Sequence, residues 1–161
     1  IKSFLEQGGR VVAIGSSATN LAAALTLPIE SQIIEKQANG TTRPISNDKF
    51  YIPGSVLVSS VDTTVAVARG ARPATDVFFD NSPVWRLLPD AAAKGVTPIA
   101  RYTAEKPLRS GWAIGQEYLK DGVAMAQATV GQGTLYLYGP EVLFRAQPAG
   151  TYRFVFNTFY R

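Results

Sequence analysis

The segment Arg10-Val11-Val12-Ala13-Ile14-Gly15-Ser16-Ser17-Ala18-Thr19-Asn20-Leu21 constrains the fold more than any other stretch. A short apolar run stops at Gly-Ser-Ser and gives way to small residues with leucines at helical spacing. That order predicts a strand, a sharp turn and a helix whose free backbone N–H groups point back at the turn. In α/β proteins the crevice at the carboxyl end of such a strand is a usual place for a site. Val11 to Ile14, apolar without alternation, reads as a strand buried on both faces, as in a parallel sheet. Ser16 or Ser17 is expected to cap the helix, and Ala18, Leu21, Ala22 and Leu25 to form its buried stripe.

The flanking chain supplies further elements. Ile1, Phe4 and Leu5 share one face of a short helix that Gly8-Gly9 ends. Val56 to Val58 and Asp76 to Phe79 read as strands, Ser31 to Glu35 as a weaker one, and Asn39-Gly40 as a turn. Val61 to Gly70 is expected to be a short helix after a turn, with Asp62 as its cap. Val96 to Tyr102 is a strand whose Pro98 belongs at an edge or a bulge. Trp112 to Leu119 is a helical turn. Val123 to Val130, Gly131-Gln132-Gly133 and Thr134 to Tyr138 make the clearest hairpin. Tyr152, Val155, Phe156 and Phe159 fall at helical spacing and predict a terminal helix packed on the sheet. With 161 residues, no repeat and no linker, the chain reads as a single domain over 1–161.

Composition restricts the chemistry. There is no cysteine and no histidine, which excludes disulfides, thiolate or imidazole zinc sites, and every Ser-His or Cys-His couple. The 12 acidic residues are scattered, which argues against an all-carboxylate metal site. Net charge is +4, but the basic residues form no run and no stripe with interleaved aromatics, so no nucleic-acid partner is expected. No apolar run approaches the ~20 residues that span a bilayer.

Several segments carry a resemblance. Ala13-Ile14-Gly15-Ser16-Ser17 resembles the nucleophile elbow of class I glutamine amidotransferase-like domains, with Gly15 at the position of their cysteine. Phe4 to Ile14, Phe50-Tyr51-Ile52-Pro53-Gly54-Ser55-Val56-Leu57 with Val61-Asp62-Thr63-Thr64, Leu108-Arg109-Ser110-Gly111-Trp112, Val130-Gly131-Gln132-Gly133-Thr134-Leu135 and Phe144 to Thr151 follow in an order similar to the C-terminal amidotransferase-like domain of bacterial zinc carboxypeptidase-like proteins. Val65-Ala66 stands where that family has a His-Pro pair. The resemblance implies an α/β, flavodoxin-like, mostly parallel sheet with flanking helices and a C-terminal β-hairpin, its first strands lying upstream of Ile1. It also implies a dead elbow, an exported location, and zinc only in a peptidase domain that this chain does not contain.

The expected function is therefore a non-catalytic accessory domain of a bacterial zinc carboxypeptidase-like hydrolase, docking on the peptidase domain or an upstream segment, with self-association through an unpaired strand. The alternative is a binding module that takes a small anionic or peptidoglycan-like ligand at the Gly15 crevice. There Gly15, Ser16 and Ser17 offer backbone N–H groups and Arg145 and Gln147 reach in from the loop before the last helix. Against this stand an ordinary cap with a glycine turn and a structural arginine. A serine hydrolase built on Ser16 comes third. Trp85, Trp112, Tyr51 and Tyr102 either stack on sugar or peptide or pack internally.

Overall fold

The structure, a computed structural model, describes residues 1–160. The chain runs through α1 (Lys2–Glu6), β1 (Arg10–Ile14), α2 (Ser16–Ala24), β2 (Ile29–Ser31), β3 (Ile34–Lys36), β4 (Thr42–Pro44) and β5 (Ser55–Val61). It continues through β6 (Ala74–Phe79), β7 (Trp85–Leu87), β8 (Val96–Arg101), β9 (Leu108–Ser110), β10 (Val123–Val130), β11 (Gly133–Tyr138) and α3 (Tyr152–Phe156). Nine strands form one sheet whose main path is β1-β11-β10-β8-β5-β6; β3 and β4 form a separate hairpin.

This corrects the expected flavodoxin-like fold. Among the described residues only β1 with β11 is parallel, and every other pair in the sheet is antiparallel. The reason lies in the connections. A parallel neighbour needs a crossover of a dozen or more residues, usually a helix. Among the described residues α2, with nine residues, is the longest helix, and the other two have five each. Tight turns replace crossovers elsewhere, as at Gly131, whose φ of 61° lets Val130 and Gly133 face each other across a two-residue turn. Pro98 sits opposite Ala126 where the β8–β10 register slips, so it marks a bulge within the sheet.

The sheet is buried on both faces along its centre. Leu135 and Leu137 of β11 pack with Leu5, Ala18 and Ala22, under α1 and α2. Tyr136 and Tyr138 point the other way, into a cluster with Phe79, Val67 and Phe154. The α2 stripe is as the spacing predicts: Ala18 and Ala22 are buried, with Leu21 and Leu25 packed against them.

Four local expectations fail. Val61 ends β5, and the helix expected to Gly70 with Asp62 as its cap is only a 3-10 turn, Ala66–Ala68, whose N-cap is Val65. Among the described residues β1 is an edge strand paired only with β11, and of its own residues only Ala13 is buried. The cap of α2 is Gly15, and Ser16 and Ser17 are already helical with no capping bond. In α3 the buried residue is Phe154, whereas Phe156 and Phe159 are exposed. A helix of five residues is too short for its stripe to choose its face. Instead Thr151 and Tyr138 do so, donating to the Val142 and Phe154 carbonyls at 2.5 and 2.8 Å.

Candidate functional site

β1 delivers the chain to Gly15, whose N–H continues the parallel ladder by donating to Tyr138 O at 2.8 Å. The turn needs φ 61° and ψ −137° there, a conformation that glycine tolerates and other residues resist. It has a further occupant. A Cβ built on Gly15 would stand 2.9 Å from Glu141 Oε1. The carboxylate of Glu141 thus lies over the turn at the start of α2, where the helix dipole favours negative charge. Ser16 and Ser17 face solvent.

Arg145 and Gln147 are placed differently from the expected crevice wall. Arg145, with φ 41°, holds its guanidinium 5.1 Å from the Phe144 ring, which stacks on Phe78 at 4.2 Å. Gln147 is exposed and precedes Pro148 through a cis bond. No hydrogen bond takes either side chain to the Gly15 turn among the described residues. Gly15, Ser16 and Ser17 form one group, Arg145 and Gln147 another.

Beside the turn opens a cavity that the sequence did not point to. It has about 530 Å³ and is lined by Thr19, one helical turn past Gly15, together with Asn47, Phe50, Tyr51, Asn81 and Ser82 among others. This is ligand-sized. The end of β6 builds one wall. Asn81 (φ 45°) donates its N–H to Ile52 O at 2.9 Å and accepts from Ile52 N–H at its side-chain oxygen at 3.3 Å. Asp80 accepts from Gly54 N–H, and Ser82 Oγ from Asp80 N–H, each at 3.1 Å. The β3–β4 hairpin brings Pro44 and Ile45 to the opposite wall. Tyr51 meets the half-exposed Trp112 edge to face at 5.9 Å. Trp85 and Tyr102 are fully buried, Trp85 donating its indole N–H to Thr19 Oγ1 at 3.1 Å. A Tyr-Trp pair beside Asn and Ser in consecutive turns was the available signal, but these segments meet only through the sheet.

The cavity is neutral: no side chain among its lining residues carries a charge. The carboxyls with displaced pKa values lie outside that lining and are all held down. Hydrogen bonds from Arg43 and Lys49 lower Glu35, that from Lys94 lowers Asp90, that from Ser46 lowers Asp48, and those from Thr64 lower Asp62. A general acid needs the reverse shift. Among the described residues no three potential ligand side chains gather where they could hold a metal. The lining offers amides and hydroxyls that suit a neutral polar ligand, with Phe50 and Tyr51 as its aromatic groups.

No family model matches this chain, and no curated protein matches it. Solved structures similar to it include a β-galactosidase from Bacillus circulans sp. alkalophilus, at 13% identity and TM-score 0.52, covering 94% of this chain and 18% of that one. Another is the cold-adapted β-galactosidase from Rahnella sp. R3, at 14% identity and TM-score 0.54, covering 98% and 19%. A ThuA-like protein from Bacteroides uniformis aligns at 10% identity over 98% of this chain and 60% of that one, with TM-score 0.49. The chain spans about a fifth of the length of the two β-galactosidases. Together with the largely antiparallel sheet, these neighbours give no support to amidotransferase, flavodoxin or carboxypeptidase as descriptions of this chain, which corrects those expectations. At such identities the likeness is one of fold, and it places this chain beside a single portion of two larger β-galactosidases.

Proposed function

We propose that this chain is a non-catalytic accessory domain of a larger hydrolase. The observation that carries the reading is the neutral cavity beside the Gly15 turn, where amide, hydroxyl and aromatic groups converge without a carboxylate, lysine or arginine. A chain with no histidine and no cysteine, and with glycine at the turn, lacks the Cys-His or Ser-His couple that an elbow of this kind would use. The fold likeness to a fifth of two β-galactosidases supports a place inside a larger enzyme whose reacting groups lie elsewhere. Its partner is then another domain of the same parent, and the unpaired edge of β1 beside the exposed Phe4 and Phe159 is a surface suited to docking.

The test is turnover by the purified chain. Chromogenic β-galactosides, esters and peptides with free C-termini should all remain intact, and Ser16→Ala should change nothing. Turnover that disappears in Ser16→Ala, with folding intact, would establish a serine hydrolase instead.

A second reading is favoured by Tyr51, which lines the cavity and packs edge to face on Trp112: a binding module for a neutral, hydroxylated ligand. Glu141 beside Gly15 disfavours the anionic ligand expected at that crevice. Neutral oligosaccharides that raise the melting temperature of the wild type, but not of Asn47→Ala, would support the module.

A further inference from the structure

A different cleft has the charge that the neutral cavity lacks. At the outer edge of β6 a cavity of about 340 Å³ is lined by Gly70, Arg72, Asp76, Gly150 and Arg153, among others. Among the described residues neither Arg72 nor Arg153 forms an ion pair. Arg153 is held at its guanidinium, Arg72 only at its backbone. Arg153 donates to the Gly70 carbonyl, and Thr75 Oγ1 donates to Arg72 O at 2.7 Å. Asp76 is turned toward Arg109, which donates to its Oδ1 at 3.3 Å.

The strand edge adds donors. Val61 N–H donates to Pro73 O, and the register pairs Ser59 with Thr75 and Ser60 with Ala74. In an antiparallel pair the backbone groups alternate in direction, so the N–H groups of Ala74 and Asp76 point away from β5, to the outer edge.

We propose that this cleft binds a small hydroxylated carboxylate of the uronate or aldonate class. This assignment goes beyond the accessory-domain reading and does not depend on it. Two guanidiniums and outward strand N–H groups suit a carboxylate, which arginine grips through paired N–H donors. Asp76 accepts from ligand hydroxyls and sets itself against a phosphate dianion. The volume admits one sugar-sized ring.

The test is titration of the isotopically labelled full chain with glucuronate, gluconate, glucose and inorganic phosphate at constant ionic strength. Glucuronate or gluconate should shift the Ala74 and Asp76 amide resonances saturably, and glucose should not. Arg72→Gln removes an exposed side chain with no described hydrogen-bond partner, so the rest of its spectrum should stay native while glucuronate binds about tenfold more weakly or worse. Asp76→Asn should lessen the preference for glucuronate over acetate. Wild-type affinity in Arg72→Gln, equal shifts from glucose, tighter binding of phosphate, or no saturable shift with any carboxylate would each overturn the proposal.

Discussion

Two buried tyrosines make opposite predictions from the same substitution. Tyr138 OH donates to Phe154 O at 2.8 Å, tying β11 to α3. Tyr102 is fully buried, packs edge to face on Phe79, and leaves its hydroxyl without a partner among the described residues. A buried polar group without a hydrogen bond costs about 1–3 kcal/mol, whereas a satisfied one contributes about 1 kcal/mol and leaves an orphan when its partner is cut away. Tyr138→Phe strips the Phe154 carbonyl of its donor and should destabilise by about 2 kcal/mol, lowering Tm by roughly 4–8 °C in a domain of this size. Tyr102→Phe deletes the orphan and keeps the ring. It should stabilise by about 1 kcal/mol, less the small void left by one oxygen, and raise Tm by roughly 2–4 °C. Urea unfolding followed by Trp fluorescence gives both values, with an unchanged m-value confirming that the states compared are the same. A Tyr102→Phe protein less stable than wild type would refute the reasoning, because it would mean that this hydroxyl is bonded in the folded chain.

Alkaline pH should expose the same two residues, since burial raises both phenols above their ordinary value near 10. The unfolded chain loses those protons first, so stability is full below pH 10 and falls above it by about 1.4 kcal/mol per pH unit for each tyrosine; urea midpoints from pH 9 to 11 should fall less steeply in Tyr102→Phe. Gly15→Ala places a side chain at φ 61° against Glu141 and should cost about 1–3 kcal/mol, read from the shift in urea midpoint. The open edge of β1, flanked by exposed Phe4 and Phe159, predicts association that grows with concentration, and Phe4→Glu should reduce it in sedimentation velocity runs.

The strand-turn-helix from Arg10 to Ala24 and the Val123–Tyr138 hairpin were legible because their signals are local. The first rests on apolar spacing and a glycine whose conformation the turn demands, the second on alternation about Gly131. The direction of strand pairing was not legible. An apolar run such as Val11 to Ile14 has the same composition whether its neighbour runs parallel or antiparallel, and whether it lies at the centre or the edge. Those choices depend on β11, far along the chain, and on the shortage of helices long enough to return a parallel strand. The site followed the same division. The missing histidines and cysteines were enough to exclude disulfides, thiolate or imidazole zinc sites, and Ser-His or Cys-His couples. That Glu141 lies over Gly15, that Asn47 and Asn81 share a cavity, and that Arg72 and Arg153 share a cleft are products of tertiary packing. Side chains remote in sequence meet only when the sheet brings their strand ends together, and no periodicity within one segment encodes which partner that will be.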